Sequence, residues 1–581
     1  MANGILRPDF IGGSYQLDVL MASPELSENM YVETLGAKDA SSYTSKILRS
    51  IDGNRAVMTF PQGVIGCRGL TTVGAGPDYA PDMYAVFNDT LYRINGDMTR
   101  VEVGKIGATN TPVRFSESGG VNSHLCLVNG QREMRICSVH ALDEEVATTF
   151  DTIPLPKNPY DARNQGFEDL DDGISINATH IITMGERVVV NDSESGFIFL
   201  SRPGAFQGGT YKAFVTTTEI DSYGDKVLKV VYEDDGITPK YKTVTDASWG
   251  WKDRFGRYQF FHVMSANGDV VKAIESINAQ ELWVFGNKSF DIWGLSSDKE
   301  GNYSLTRTGL GTNIGIAAPQ SLAKIQNKIC WLGSGGDGDN AVWCATQAAQ
   351  PQRISTPALE RYIAKVKCND AFGFAYNYSG HAFYILSLPT ANRTFCYDLT
   401  TGMWHNRCTI DPNTNKIEMW YPSFACNFNG EVYFGTYKAN ALVVMDQTKH
   451  TEWDGRRIRR IRRSPVIVSE FSNIIVDMFR IECGTGLTEK LQPPNPNDNN
   501  AEARAKQGYN PRVLMRFSYD GGNTWSHYRE SNLGRAGQYD SKCEYYGLGM
   551  GRLFVIEVSC DDPVDFVITT AKLKARTTRS F

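Results

Sequence analysis

The sequence predicts an all-β protein: a β-propeller carrying an inserted β-rich subdomain and a C-terminal β module. Composition gives the first indication, because 27 Tyr, 28 Phe and 10 Trp beside 54 Gly in 581 residues favour strands joined by tight turns. The second is a repeat, in which aromatic runs centred on Trp283, Trp331, Tyr384 and Tyr433 recur about every 50 residues. A unit of about four short strands cannot bury both faces alone, so the units are expected to stack around an axis.

Hairpins account for most of the repeat. Each has two apolar strands around a turn of Asn, Asp or Gly, and the strongest turn signal is Asn129-Gly130. Hairpin units are predicted at 83–96, 124–136, 187–202, 281–294, 329–345 and 380–407. One short helix is predicted to begin at Pro357, with Thr356 as N-cap and Glu360 facing the positive end of the helix dipole.

Segments that do not follow this repeat predict the domain organisation. We expect five segments: 1–60, an N-terminal segment packing on the terminal β module; 61–204, the first part of the propeller; 205–270, a β-rich insertion that serves as a tip or neighbour-contact domain; 271–480, the second part of the propeller; and 481–581, a C-terminal β module with an Asp-box hairpin. Within the last segment, the Pro- and Asn-rich stretch 484–511 is predicted to be a flexible loop.

Charge and cysteine content restrict the function. A net charge of −6 argues against a protein that grips nucleic acid over its whole surface. The twelve cysteines lie singly, many within apolar runs, which favours reduced core thiols and assembly in a reducing cytosol. The N-terminus resembles no signal peptide, and no run of about 18 apolar residues predicts a membrane segment.

An Asp-box lies in the C-terminal module. Its fixed positions in the pattern S-x-D-x-G-x-T-W are Ser518, Asp520, Gly522, Thr524 and Trp525. The aspartate is expected to accept backbone N–H bonds across a turn while the tryptophan packs beneath it, which is a structural role.

Sialidases repeat this motif, so a glycan-hydrolysing propeller is the rival hypothesis. Only one Asp-box occurs here, and the nearest match to the sialidase arginine motif, 479–482, lies late in the chain and lacks its proline. Without paired carboxylates or a nucleophile with its base, we expect no catalytic residues and no enzyme. A glycan-binding propeller without catalysis stays open, with Trp404 or Trp420 as an aromatic platform.

Two acidic loops resemble calcium ligands in their spacing. One contains Asp337, Asp339 and Asn340, and the other contains Asp169, Asp171 and Asp172. Neither is followed by the distal carboxylate of an EF-hand, so solvated turns are favoured over a bound ion. We predict no metal and no cofactor.

Six arginines lie within eight residues: Arg456, Arg457, Arg459, Arg460, Arg462 and Arg463. In an extended strand their side chains would alternate between the two faces, which a single buried face could not accept. Three roles stay open for them: a solvated edge strand protected by charge, salt bridges to another subunit or a neighbouring protein, and contact with DNA phosphate.

Several segments together resemble one family. They are SPELSENMYVE (23–33) with Asn29, Tyr31 and Glu33 in place, MYAVFNDTLYRI (83–94), ELWVFG (281–286), QRISTPALE (352–360), RTFCYDLTTGMWHNR (393–407) and FSYDGGNTWS (517–526). In this order and wording the chain resembles the packaged-DNA stabilisation proteins, or tail nozzles, of short-tailed bacteriophages.

The resemblance implies a structural protein of the virion tail, built as a β-propeller with six blades as the preferred number. Six copies would form a homo-hexameric ring below the portal and adaptor, prolong the DNA channel, help retain packaged DNA and let it leave during ejection. The implied partners are the adaptor or head-completion protein, a tail fibre or tailspike, a tail needle or plug protein, and the double-stranded DNA in the lumen. Synthesis and assembly would take place in the host bacterial cytoplasm.

Overall fold

The computed structural model describes residues 4–6, 8–35, 46–63, 65–74, 81–107, 109–118, 124–139, 150–157, 174–202, 210–220, 226–245, 250–252, 258–264, 268–297, 303–335, 340–347, 350–411, 414–469, 472–486, 510–535 and 537–578. Strands supply nearly all of their regular structure, which confirms the all-β prediction. The chain divides into two compact units. The first comprises 1–62, 341–343 and 353–581, and the second comprises 63–340 and 344–352.

The N-terminal segment contributes six strands to the first unit: β1 (Gly4–Leu6), β2 (Tyr15–Gln16), β3 (Pro24–Glu28), β4 (Met30–Thr34), β5 (Lys46–Ser50) and β6 (Gly53–Thr59). Between β3 and β4, Asn29 adopts a positive φ of 52°. Asn is among the few residues that tolerate this conformation, so the chain can turn there from one sheet to the next.

The second unit begins with antiparallel meanders. The first two are β7 (Cys67–Val73), β8 (Asp82–Phe87), β9 (Thr90–Ile94) and β10 (Arg100–Lys105), then β11 (Arg114–Glu117), β12 (His124–Val128), β13 (Glu133–Ser138) and β14 (Phe150–Pro154). A third starts with β15 (Ile181–Met184), β16 (Arg187–Asn191) and β17 (Phe197–Leu200). The turns at Asn88 and Asn129-Gly130 lie between the strands that the sequence predicts.

The insertion forms two small two-stranded sheets. Its strands are β18 (Thr210–Phe214), β19 (Thr216–Ile220), β20 (Lys226–Val230) and β21 (Tyr241–Thr245), with β18 paired to β21 and β19 to β20. The next strand, β22 (Gln259–His262), pairs with β17 and completes the third meander. The predicted end of the insertion at residue 270 is therefore too late.

Two further sheets follow in the second unit. One is β23 (Ala273–Ser276), β24 (Glu281–Phe285), β25 (Phe290–Ser297) and β26 (Tyr303–Arg307). The other begins with β27 (Ile314–Ile316), a 3-10 turn (Pro319–Ser321), β28 (Ala323–Ile325) and β29 (Lys328–Gly335). β30 (Asn340–Thr346) and β31 (Gln352–Arg353) lie where the chain divides.

The predicted helix is α1 (Pro357–Lys365), in the first unit. The Thr356 hydroxyl accepts the backbone N–H of Leu359 at 3.3 Å, and Pro357 occupies the first turn. Glu360 binds Ser355 and Arg353 just before the helix. The helix start is confirmed, and none of the helices in the described residues is long and apolar enough to cross a membrane.

The remaining strands of the first unit follow α1: β32 (Phe372–Tyr378), β33 (His381–Leu388), β34 (Arg393–Asp398), β35 (Met403–Ile410), β36 (Ile417–Met419), β37 (Pro422–Phe428), β38 (Glu431–Thr436), β39 (Ala441–Asp446), β40 (Arg460–Arg463), β41 (Ile474–Cys483), β42 (Arg512–Ser518), β43 (Arg529–Asn532), β44 (Cys543–Gly551), β45 (Val555–Cys560) and β46 (Val567–Thr577). The predicted boundary at 480 falls inside β41.

N-terminal strands enter every sheet of the first unit. β6 pairs with β39 as the fourth strand of the β37–β39 sheet, β3 lies between β35 and β40, and β4 and β5 join the sheet of β46, β41 and β44. The core of the last sheet contains Phe479, Phe554 and Phe566, all at most 1% exposed.

Five four-stranded sheets occur in the described residues, four of them in the second unit and one in the first. Each contains one of the hairpins or repeat centres seen in the sequence, as expected of propeller blades. The fold is of the predicted propeller class, and six as the number of blades stays a prediction. The twelve cysteines are free thiols, and ten of them are buried.

Candidate functional site

The arginine run lies in the interior of a sheet of the first unit. Its second half forms β40, which pairs with β3 on one side and β45 on the other. A solvated edge strand is therefore the wrong interpretation. Both faces of β40 hold arginine side chains, because acceptor groups from distant parts of the chain form hydrogen bonds with the guanidinium groups.

Arg462 is fully buried and holds the N-terminal segment. Its Nε and Nη1 donate to the carbonyl oxygens of Phe10 and Gly13, each at 2.7 Å, and its Nη2 donates to Glu25 Oε1 at 2.8 Å. Desolvation by burial lowers the pKa of Arg462, while the nearby Glu25 acts in the opposite direction. The guanidinium thus joins three N-terminal sites to β40.

Arg460 is also fully buried, on the same face of β40. Its guanidinium donates to the carbonyl oxygens of Asp562, at 2.8 Å, and His450, at 3.1 Å. Since Arg460 and Arg462 are enclosed by their own chain, the expectation that they contact another subunit or DNA is wrong.

Arg463 forms a charged triad on the opposite face. Glu557 of β45 lies directly across from Arg463 of β40 and from Arg516 of β42. Its carboxylate accepts from Arg463 Nη2 at 2.6 Å through one oxygen and from Arg516 Nε at 2.6 Å through the other. The Glu557 side chain is 0% exposed, so two cations share one desolvated carboxylate.

The Asp-box packs on this triad. The Trp525 ring lies 4.9 Å from the guanidinium carbon of Arg463 and 4.6 Å from that of Arg516. Both distances are within the range of cation–π attraction. The two most distinctive motifs of the sequence, the arginine run and the Asp-box, therefore meet at one place.

The Asp-box turn is held by Asp520. Its Oδ1 accepts the backbone N–H groups of Asn523, at 3.0 Å, and Thr524, at 2.9 Å, and its Oδ2 accepts the Thr524 hydroxyl at 2.7 Å. Ser518 Oγ donates to Oδ1 at 2.6 Å and accepts the N–H of Gly522 at 2.9 Å. Gly522 has a φ of 103°, which side chains rarely adopt.

These bonds predict a pH-dependent contribution to stability. Desolvation alone would raise the pKa of Asp520, but hydrogen bonds from Ser518, Thr524 and Asn523 lower it to about 2. The contribution is present above the unfolded-state pKa of about 3.9 and is lost as pH falls through the folded-state pKa. We expect Asp520→Asn to lower stability by about 1 kcal/mol at pH 7, with the difference shrinking below pH ~4.

Melting temperatures of both proteins from pH 7 to pH 2 check this prediction. Asp540→Asn, at an exposed aspartate outside the Asp-box, is the matched control. A difference between Asp520→Asn and the original protein that stays constant down to pH 2 would contradict it.

The other arginines of the run lie nearer the surface. Arg456 lies over the rings of Tyr421, at 4.7 Å, and Trp453, at 5.0 Å. The side chain of Arg457 is 65% exposed, and Arg459 is half-buried. For Arg456, Arg457 and Arg459, contact with a subunit or with DNA remains a prediction.

The N-terminal motif residue Asn29 lies beside this site. Its side chain donates to the carbonyl oxygens of Cys408, at 3.1 Å, and Arg459, at 2.9 Å, and accepts the N–H of Cys408 at 3.0 Å. Asn29 is fully buried, so it ties the start of the chain to β35 and to the arginine run.

The two tryptophans proposed for a glycan-binding platform are buried. Trp404 is 5% exposed and Trp420 is 1% exposed, so neither offers an exposed platform. Arg480 of the 479–482 segment pairs with Glu482 and Glu544 within its sheet.

Metal ligands are not grouped in the described part of the chain: it holds no cluster of three or more His, Cys, Asp or Glu suited to an ion. The loop with Asp169, Asp171 and Asp172 lies outside the described residues, as do Asp337, Asp339 and residues 487–509 of the predicted flexible loop.

Residues 252–450 match the Phage_stabilise family, described as bacteriophage P22 Gp10, beta-propeller. Over this segment the chain is similar to the phage stabilisation family. The match extends from the end of the insertion to just past β39, and it supports a phage structural protein. A comparison with curated proteins gives no match.

Solved structures similar to the chain include propellers of diverse origin. Virginiamycin B lyase from Staphylococcus aureus is 11% identical, with 67% of this chain and 97% of that chain covered and a TM-score of 0.33. A streptogramin B lyase is 9% identical, with 72% and 98% covered and a TM-score of 0.34. YCF48 bound to D1 peptide is 11% identical, with 68% and 97% covered and a TM-score of 0.33. Similarity at this level carries no argument about the function of this chain.

Proposed function

We propose that this protein is the tail nozzle, or hub, of a short-tailed bacteriophage. Six copies form a ring below the portal and adaptor, prolong the DNA channel, help retain the packaged genome and let it exit during ejection. The adaptor, a tail fibre or tailspike and a tail needle or plug protein are its neighbours. It has no enzymatic activity, and it is synthesised and assembled in the host cytoplasm.

The observation that carries this proposal is the family match over strands of the propeller, residues 252–450. The net charge of −6 is consistent with a conduit, because a mildly acidic wall does not hold the phosphate backbone. The arginine run agrees with this role, since the guanidinium groups of Arg460, Arg462 and Arg463 bind partners within the chain.

The insertion supports an assembly role. Two-stranded sheets are marginally stable by themselves, and the insertion exposes large apolar side chains in and between its strands. Ile237 is 81% exposed, Ile220 is 73% exposed and Tyr232 is 48% exposed. We propose that a neighbouring protein in the tail covers these side chains, which makes the insertion a neighbour-contact domain.

The assembled tail provides the decisive test of the nozzle assignment. We expect cryo-electron microscopy of virions to show this protein as a sixfold ring on the channel axis. A location away from that axis, or a copy number other than six, would overturn the assignment.

A variant tests the role of the insertion. Ile220→Ser with Ile237→Ser should leave the melting temperature of the isolated protein unchanged, because both side chains are exposed. Phage carrying this variant should yield particles with incomplete tails or leaked DNA, measured by nuclease-accessible genome and by plaque titre. The control is Val101→Ser on β10, where Val101 is 43% exposed. Equal titres for the two variants would refute a contact role of the insertion.

A further inference from the structure

A cavity of about 300 Å³ lies beside α1 in the first unit. Three cationic side chains line it, namely Arg361 and Lys365 of α1 and Arg393 of β34, whereas Asp18 is the only acidic residue in its lining. A cavity with this excess of positive charge favours an anionic ligand.

The three cations are not equally engaged. Asp18 Oδ2 accepts from Lys365 Nζ at 2.9 Å, and its Oδ1 accepts from Arg361 Nη1 at 3.4 Å. Hydrogen bonding to Lys365 is the main cause that lowers the pKa of Asp18. Arg393 is exposed, and its guanidinium has long contacts with the carbonyl oxygens of Asn392, at 3.3 Å, and Ile417, at 3.5 Å. Among the described residues, no ion pair joins Arg393 to a carboxylate.

Apolar groups form the rest of the wall. Tyr362 and Phe395 meet edge to face with their ring centroids 5.4 Å apart, and Leu359 lies on the same helix. The indole N–H of Trp404 donates to the Ile354 carbonyl at 2.7 Å, so it is not available to a ligand. A sugar would leave many hydroxyl groups without partners on such a wall, whereas an apolar side chain would fit it.

The chain itself shows what kind of group the cavity accepts. Leu17 and Asp18, an apolar residue followed by an acidic one, both line it, and Asp18 already engages two of the three cations. A second cavity, of about 550 Å³, shares Trp404 but is lined by Asp9 and Glu25 with Lys46 as its cation. That cavity lacks the positive excess, so the preference for an anion is specific to the first.

We propose that the cavity beside α1 binds an acidic peptide segment of another protein. A carboxylate of the segment pairs with Arg393, and a neighbouring apolar side chain packs against Leu359, Tyr362 and Phe395. The site does not depend on the nozzle assignment, since its test needs only the purified chain.

Fluorescence anisotropy with a labelled peptide, acetyl-Gly-Leu-Asp-Leu-Glu-Gly-amide, tests this site. We expect saturable binding that weakens about tenfold or more in Arg393→Gln, because a charge-assisted hydrogen bond is lost. The isosteric amide peptide, with Asn and Gln in place of Asp and Glu, should lose a similar factor. Arg457→Gln, an exposed arginine outside the cavity, is the control and should bind like the original protein.

Three outcomes would overturn the proposal. They are no saturable binding of the acidic peptide, equal binding of the acidic and amide peptides, and unchanged binding in Arg393→Gln. A sialylated trisaccharide that binds where the peptide does not would also overturn it, in favour of a glycan site. Should Arg393→Gln fail to fold, Arg361→Gln provides a second test of the charge, with the same expected direction.

Discussion

Replacing Glu557 by Gln is expected to lower the stability of the first unit by about 3–5 kcal/mol. The change removes the negative charge that lies between Arg463 and Arg516, whose guanidinium groups each donate to one oxygen of the Glu557 carboxylate at 2.6 Å. Two partly buried cations would then face each other beneath Trp525 without a carboxylate between them. A lower melting temperature, with little change in the second unit, is the result to measure.

Glu530→Gln is the matched control for Glu557→Gln. Glu530 also pairs with an arginine of β42, Arg512, at 3.1 Å, but both side chains are 55% exposed. Exposed pairs contribute about 0–1 kcal/mol, so this variant should melt nearly as the original protein does. If Glu557→Gln were no more destabilising than Glu530→Gln, the triad would not be a stabilising centre.

Replacing Arg462 by Gln should release the start of the chain from β40. Three bonds to Phe10, Gly13 and Glu25 would be lost, which leaves buried carbonyl groups without donors. We expect a loss of about 3–5 kcal/mol, comparable to breaking a buried ion pair. Amide hydrogen exchange should rise most in residues 10–16.

Arg457→Gln serves as the control for Arg462→Gln, because its side chain is 65% exposed and lies in the same run. It should change neither the melting temperature nor the exchange of residues 10–16. Equal exchange in the two variants would show that the N-terminal segment is held by something other than Arg462.

Local features of the fold were predictable from the sequence. The Asn129-Gly130 hairpin and the start of α1 at Pro357 were predicted correctly, because turn and capping chemistry depends on neighbouring residues. The repeat of about 50 residues likewise identified the propeller class. The predicted insertion, 205–270, extended too far because it included β22, which pairs with β17 and completes the third meander.

The environment of the arginine run could not be predicted in this way. Its partners are remote in sequence: Arg462 binds Phe10 across 452 residues, and Arg463 binds Glu557 across 94. A local sequence pattern cannot reveal such distant pairs, so the six arginines were predicted to lie at the protein surface. One signal was present, since Glu557 is the single acidic residue in the apolar run of β45, and a buried acid requires a cation.

Because the N-terminal strands pair with strands from late in the chain, the first unit cannot finish folding until most of the chain has been synthesised. Asn54, in β6, bonds to Glu452, which lies 398 residues further along the chain. At a translation rate of about 5–20 residues per second, β6 leaves the ribosome roughly 20–80 s before that partner exists. Through this interval its edges are unpaired and open to wrong partners. The first unit therefore closes only late in translation, whereas the second, bounded by 63 and 352, has all its residues well before.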